Sequence, residues 1–351
     1  MKILYFDIWS PAGHYVFNNI HLKALSQIGD VYTVFREGYY KFDYPHVTPY
    51  LEIPDNLYVK NHGYYYTRYK LSGMMNWVWK QCSSEKWDYI ILSSYDPFAL
   101  FISQRFKNSM VIDHNTLGLL DSKIHGFPLR HLGKGIKHIV FNNSMKSRLQ
   151  ECGINNVSVV PHGFLPMEVE ELSQEDEKKL MQKYFLEPTD KIVFLPSLSK
   201  ETSDMFGKII YNPEFNDFLK QHGLKLITKS KEKRDSMSNI IILNGYLPEK
   251  DYNFLFLHSS CNVLLYSNDF KYRTSGVLNE CFANNIPCII SNCPGLKEYL
   301  PYFNNKYCVF RNSEEIKMAI ISVLECNPCE YYNNVTEIES PMTAWASIIN
   351  E

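Results

Sequence analysis

Two doubly wound α/β domains, each built on a parallel sheet, are the fold class this sequence predicts, and three observations carry it. Short apolar runs alternate with longer segments of helical periodicity along nearly the whole chain. The alternation breaks once, in a strongly charged stretch over 167–190, and restarts with a new strand at Lys191. A chain of 351 residues also exceeds the size at which a single core stops growing, which favours two.

Taken in order, the first half opens with a strand over 2–8 and a helix near 17–28, where apolar residues recur at helical spacing. Further strands are expected at 31–35, 89–93, 110–113, 138–141 and 157–160. The second half repeats the scheme at 191–195, 224–228, 240–243, 262–266, 287–291 and 307–310. Strands joined by crossover helices pair in parallel, and such sheets take ligands at the carboxyl ends of their strands. The residues just after each strand are therefore the informative ones. In the first half they include Gly13, His14, Asp113, His114, His162 and Gly163.

Composition bounds the function. With 45% hydrophobic and 21% charged residues the chain can bury real cores and is not disordered. A formal charge of -2 gives no whole-chain attraction to nucleic acid or an anionic membrane, so no nucleic-acid partner is expected and any membrane contact needs a local patch. No apolar stretch approaches the roughly 20 residues that span a bilayer, and the amino terminus lacks a cleavable leader pattern; cytoplasmic residence is the expectation. Nine cysteines do not fit a disulfide framework, and Cys261, Cys281 and Cys288 fall in apolar runs that read as core. The one CxxC, Cys326 to Cys329, encloses an Asn-Pro turn signal and has no second pair to complete a zinc set.

The strongest chemical signal runs over 262–300: strand, polar loop, helix, strand and a Pro-Gly turn. Strand, loop and helix form an anion-binding geometry. Thr274 or Ser275 can cap the helix, and the amides at its start, with Gly276 permitting close approach, suit a diphosphate. If the helical turn begins at Arg273, then Arg273, Gly276 and Glu280 share one face, opposite the apolar Val277, Leu278, Cys281 and Phe282. Lys200 and Lys229, each following a strand, are candidate cations for a departing diphosphate, with plain surface solvation as the alternative. The polar triplet Asp113-His114-Asn115 stands at a strand's carboxyl end, where it faces the crevice; a structural histidine bonded to backbone is the alternative reading.

The segment 262–300 resembles the carboxyl-terminal domain of the large retaining, nucleotide-sugar-dependent glycosyltransferase family of GT-B fold, whose signature is a Glu, seven residues and a second Glu. Glu280 matches the second Glu, which the resemblance assigns to the nucleotide ribose, whereas Tyr272 occupies the place of the first. Val159-Val160-Pro161-His162-Gly163 is similar to the family's interdomain strand and turn, and residues 239–247, ending in Tyr246 and Leu247, to the strand and glycine turn whose backbone reads the base. Thr343-Ala344-Trp345 is similar to the start of the helix that returns to the first domain. Gly13-His14 resembles the family's glycine turn, and the loop with Lys200 its phosphate-binding loop, although the family's Arg is absent there and Arg273 or Lys229 would supply the charge.

The resemblance implies two Rossmann-like domains facing a cleft, an acceptor domain over 1–165, a donor domain over 166–335 and a returning helix over 336–351. It implies a UDP- or GDP-sugar donor, a glycan or polyprenyl/lipid-linked acceptor, assembly of bacterial lipopolysaccharide or capsule, and no cofactor or metal. His114 is the first choice and Asp113 the second for the group that meets the donor sugar or acceptor. Retention follows from the resemblance; Tyr272 leaves open an inverting reaction with Asp113 or His114 as base.

The stretch 61–81 interleaves Tyr64, Tyr65, Tyr66, Tyr69, Trp77 and Trp79 with Arg68, Lys70 and Lys80. It suits sugar stacking or a peripheral contact with the inner face of the cell membrane, and equally a core helix with polar margins. Rival functions are a catalytically inert sugar-nucleotide-binding partner of another transferase, and an epimerase or phosphorylase-like enzyme of the same fold. A nicotinamide dehydrogenase is set aside because no GxGxxG follows an expected strand.

Overall fold

The computed structural model describes all residues except 12–13, 59–62, 104, 168–172, 197–206, 208, 210–211, 231–235, 246, 268–269, 300–307, 326–339 and 351. The chain separates into two compact units, Met1–Gly163 with Tyr272–Thr274 and Glu339–Glu351, and Phe164–Lys271 with Ser275–Ile338.

The first unit is a seven-stranded parallel sheet of β1 (Lys2–Asp7), β2 (Asp30–Arg36), β3 (Val47–Ile53), β4 (Tyr89–Ser94), β5 (Met110–Ile112), β6 (Lys137–Val140) and β7 (Val157–Val159), in the order β3-β2-β1-β4-β5-β6-β7. Ile3, Leu4, Tyr5 and Phe6 are all fully buried, as expected of a central strand covered on both faces. Strand β3 is absent from the sequence expectation. Its VTPYLEI carries Pro49 and buries only its two ends, which an edge strand tolerates and a periodicity count misses.

The helix Pro341–Asn350 belongs to this first unit. Trp345 is fully buried and its indole N–H donates to His21 Nδ1 at 2.9 Å, while the Tyr89 hydroxyl donates to the Ile349 carbonyl at 2.7 Å. Gly163 is required beneath the helix. Its φ is 83°, and an added Cβ would lie 2.6 Å from Ile20 Cγ2 and 2.7 Å from Pro341 Cγ.

The second unit is a six-stranded parallel sheet of β8 (Lys191–Leu195), β9 (Leu224–Ser230), β10 (Ile240–Asn244), β11 (Ser259–Leu264), β12 (Cys288–Ser291) and β13 (Cys308–Phe310), in the order β10-β9-β8-β11-β12-β13. Side chains alternate strictly between its faces. Phe194, Ile227, Leu264 and Ile290 enter one core, while Val193, Leu226, Val263 and Ile289 enter the other. Cys261, Cys281 and Cys288 are buried and unbridged in these cores; Cys326 and Cys329 lie outside the described residues.

The charged stretch contains the helix Gln174–Lys183, with only Leu180 buried. Ser173 caps it by accepting from Asp176 N at 3.1 Å, with Glu175, Asp176 and Glu177 in its first turn and Lys183 in its last, as the helix dipole favours. The stretch 61–81 yields the helix Tyr64–Cys82, which buries Leu71, Met74, Met75 and Val78 and leaves Tyr65, Tyr66 and Tyr69 exposed. One face is core, and the other is aromatic surface.

Candidate functional site

In the first unit the strand order reverses between β1 and β4, so the loops that follow them border the switch point at which open α/β sheets bind ligands. Asp7 ends β1 and is fully buried. Its Oδ1 accepts the N–H groups of Trp9 (3.0 Å) and Ser10 (2.8 Å) and the Ser94 hydroxyl. Its Oδ2 accepts from Asn18 Nδ2 at 2.9 Å and meets His14 Nδ1 at 3.2 Å. Burial raises a carboxyl pKa, but the hydrogen bond and charge of His14, with Asn18 and Ser94, outweigh it and hold Asp7 at about 2. The ionised carboxylate fixes a proton on His14 Nδ1 and leaves Nε2 as the basic nitrogen; the side chain keeps 20% exposure.

His114 stacks on His14 with ring centroids 4.7 Å apart. Its Nε2 stands 2.8 Å from the Ser93 carbonyl, so Nε2 carries the proton and Nδ1 the lone pair. Burial, reinforced by His14 and His162, keeps its pKa well below the ordinary value. His114 is thus a neutral hydrogen-bonding group and a weak base. His162 completes the cluster, its ring 5.1 Å from Phe17, which also packs on His114 at 4.3 Å; burial pushes its pKa down to about 4.

The expectation that Asp113 faces the crevice is corrected. Asp113 is fully buried, accepting the Tyr95 hydroxyl at 2.5 Å and the Thr116 hydroxyl on Oδ1 and meeting His138 Nδ1 at 2.8 Å on Oδ2. A carboxylate with both oxygens committed inside the protein positions its neighbours and has no path to an acceptor proton. Asp7 and Asn18 escaped the sequence reading, although an acidic residue closing the buried run Ile3, Leu4, Tyr5 and Phe6 is a signal that could have found Asp7.

In the second unit the order reverses between β8 and β11, and the helix Gly276–Ala283 follows β11. Ser275, and not Thr274, is its cap, accepting from Leu278 N at 3.1 Å; the Tyr266 hydroxyl lies 3.1 Å from the same oxygen. A Cβ added at Gly276 would meet no atom within 4 Å. Because the helix starts at Gly276, and Tyr272–Thr274 group with the first unit, the expected common face of Arg273, Gly276 and Glu280 does not form. The Tyr272 ring instead lies 5.0 Å from the Arg148 guanidinium.

Glu280 is half-buried, and the Tyr252 hydroxyl donates to its Oε2 at 2.8 Å. The Lys229 ammonium, at the end of β9, lies 5.1 Å from the Tyr252 ring centroid. Burial raises the Glu280 carboxyl to about 7 against the opposing pull of Tyr252 and Lys229. Burial likewise lowers the Lys229 pKa, with Glu280 opposing. Tyr252 was missed because its partner lies 28 residues away, a pairing that only the fold creates. Leu247 packs beside the core next to Gly245, whose φ of 89° makes the turn after β10; Gly13, Lys200 and Tyr246 lie outside the described residues. Among the described residues no group of three or more His, Cys, Asp or Glu is placed to hold a metal ion.

Comparison with solved structures identifies the architecture as the GT-B fold. Sucrose-phosphate synthase from Thermosynechococcus elongatus is similar over 100% of this chain and 97% of its own, with a TM-score of 0.65 at 12% identity. HepE from Anabaena, solved with UDP-glucose, is similar over 100% and 94%, with a TM-score of 0.59 at 13% identity. UDP-GlcNAc 2-epimerase from Methanocaldococcus jannaschii is similar over 100% of both chains, with a TM-score of 0.64 at 12% identity. No family model and no curated protein matches the sequence.

Proposed function

We propose that the chain is a glycosyltransferase that takes a sugar from a nucleotide sugar, with a UDP-sugar as first choice of donor because solved structures of this fold include a UDP-glucose complex. The observation that carries the reading is Glu280, half-buried and held by Tyr252 in a helix that Ser275 caps at the carboxyl end of β11. An ionised Glu280 accepts the ribose hydroxyls, the helix start takes the diphosphate, and Lys229 supports the leaving charge.

In the first unit His14, oriented by Asp7, is the base. Its Nε2 takes the proton of the acceptor hydroxyl while that oxygen bonds to the anomeric carbon and the bond to the nucleotide diphosphate breaks, its electrons leaving with the diphosphate. His114 positions a hydroxyl through Nδ1. A single displacement inverts the anomeric centre, and Tyr272 at the place of the first signature Glu accords with this outcome over retention. A glycan or lipid-linked acceptor in bacterial surface polysaccharide assembly is the setting we propose. Incubation with UDP- and GDP-sugars and a panel of lipid-linked acceptors, followed by NMR of the product, tests it: a transferred sugar of inverted configuration is expected, and binding of every donor without transfer would leave an inert partner.

A second reading, a sugar-nucleotide epimerase, is favoured by the full-length likeness to the 2-epimerase. It predicts deuterium uptake into UDP-GlcNAc from heavy water with no acceptor present, which the transferase reading does not.

A further inference from the structure

Exposed large apolar side chains are not spread evenly over the first unit. Tyr65 (57%), Tyr66 (50%) and Tyr69 (65%) of the helix Tyr64–Cys82 stand out together with Ile102 (39%) of the helix Pro97–Ser103 and Ile124 (73%) and Phe127 (48%) beyond it. Ring contacts tie these three segments into one face: Tyr65 to Phe98 at 5.7 Å, Tyr64 to His125 at 4.9 Å and Phe101 to Phe127 at 5.8 Å. Further along the helix, Trp79 meets the buried Phe106 at 5.0 Å, a core contact that anchors the segment carrying Arg105 and Lys107 to the helix.

The charge of these segments has one sign. Residues 64–82, 97–112 and 122–134 hold eight Lys and Arg and no Asp or Glu. Arg68 is committed to Asp96 at 3.1 Å, and Lys70, Lys80, Arg105, Lys107, Lys123 and Lys134 are exposed. This bias is local to one half of the chain. Residues 1–163 carry 17 Lys and Arg against 12 Asp and Glu, whereas residues 164–351 carry 19 against 26.

Exposed tyrosines, isoleucine and phenylalanine flanked by lysines, with the adjoining Asp121 ion-paired to Arg148 at 2.6 Å, match the chemistry of an anionic bilayer surface, where apolar tips enter the headgroup boundary and cations meet lipid phosphates. A contiguous exposed apolar patch of this kind marks an interaction surface, and Ile102, Ile124 and Phe127 among the cations favour a bilayer over a nucleic acid. No helix among the described residues is long and apolar enough to cross a membrane, so the contact is one of surface docking. We propose that this face of the first unit docks on membranes rich in anionic phospholipid, with the exposed tyrosine stripe and Ile124 and Phe127 as the inserting groups. The inference stands apart from the donor site, and its failure would leave that reading untouched.

Flotation of the full chain with vesicles of phosphatidylglycerol and phosphatidylethanolamine, beside pure phosphatidylcholine vesicles, tests it. The wild type is expected to float with the anionic vesicles and stay at the bottom with the neutral ones. Tyr65→Ser/Tyr66→Ser/Tyr69→Ser and, separately, Lys70→Glu/Lys123→Glu are expected to lower partitioning by at least about tenfold. Since all five side chains are exposed, circular dichroism and thermal midpoint should stay unchanged, and the charge variant keeps the test alive should the tyrosine variant misfold. Wild type left at the bottom with anionic vesicles at low salt, variants that float as well as wild type, or binding to a fluorescent oligonucleotide that the same variants abolish in place of vesicle binding would each overturn the proposal.

Discussion

At the residue scale two carboxylates, Asp7 fully buried and Glu280 half-buried, have been driven in opposite directions. Asp7 accepts hydrogen bonds on both oxygens and sits at about 2, while Glu280 has the Tyr252 hydroxyl and a more distant ammonium and rises to about 7. Asp7 therefore stays ionised at neutral pH and can hold His14 in one tautomer. Asp7→Asn is expected to lower turnover by about 10²-fold or more with donor affinity unchanged, since it removes the carboxylate that orients the His14 ring and holds the proton on Nδ1. His14→Ala should do the same, and a comparison of donor Kd with turnover checks both. Tyr252→Phe removes the donor to Glu280 and should raise the pH at which nucleotide binding becomes half-maximal, read from a binding titration across neutral pH.

At the element scale the returning helix Pro341–Asn350 is held by one buried ring and one glycine. Trp345→Ala removes a fully buried indole and its bond to His21, and should cost about 3–5 kcal/mol in denaturant unfolding. Gly163→Ala places a Cβ against Ile20 and Pro341 at a positive φ and should also destabilise, whereas Gly276→Ala faces open space and should leave stability unchanged while weakening nucleotide binding. Elements of this kind were legible in the sequence where the pattern is local. The apolar runs of β1, β8 and β12 fixed their place because parallel strands buried on both faces are near-continuous in hydrophobic residues. Strand β3 was not legible, since Pro49 and its half-exposed middle mimic a loop. The helix from Gly276 was legible too, with Thr274 and Ser275 as chemically equal candidates for its cap, and only the fold decides that the Ser275 oxygen meets Leu278 N.

At the scale of the whole molecule, Glu280 and the histidines that follow strands were legible in the sequence, and Asp7 and Tyr252 were not, because their partners Ser94 and Glu280 are brought to them only by the fold. The buried histidines also set a pH dependence for the fold. His21 and His162 have pKa values lowered to about 3 and about 4, so the neutral forms contribute stability above the ordinary 6.5 that is lost as pH falls toward those values. Glu280 acts in the opposite sense, its contribution present below about 4.5 and lost as pH rises through about 7. Unfolding midpoints in urea should therefore fall on acidification below pH 6.5, and Glu280→Gln should be as stable as wild type or more so above about pH 8. That variant also bears on the central claim, that Glu280 is the nucleotide-binding carboxylate. Calorimetric titration of UDP, and of GDP, into wild type and Glu280→Gln over a pH range spanning 7 tests it most directly. Wild-type affinity should strengthen as pH rises through about 7, and the variant should bind about tenfold more weakly, a loss of about 1.4 kcal/mol, without that pH-dependent gain. Binding of neither nucleotide by the wild type, or equal affinity and equal pH dependence in the two proteins, would contradict it.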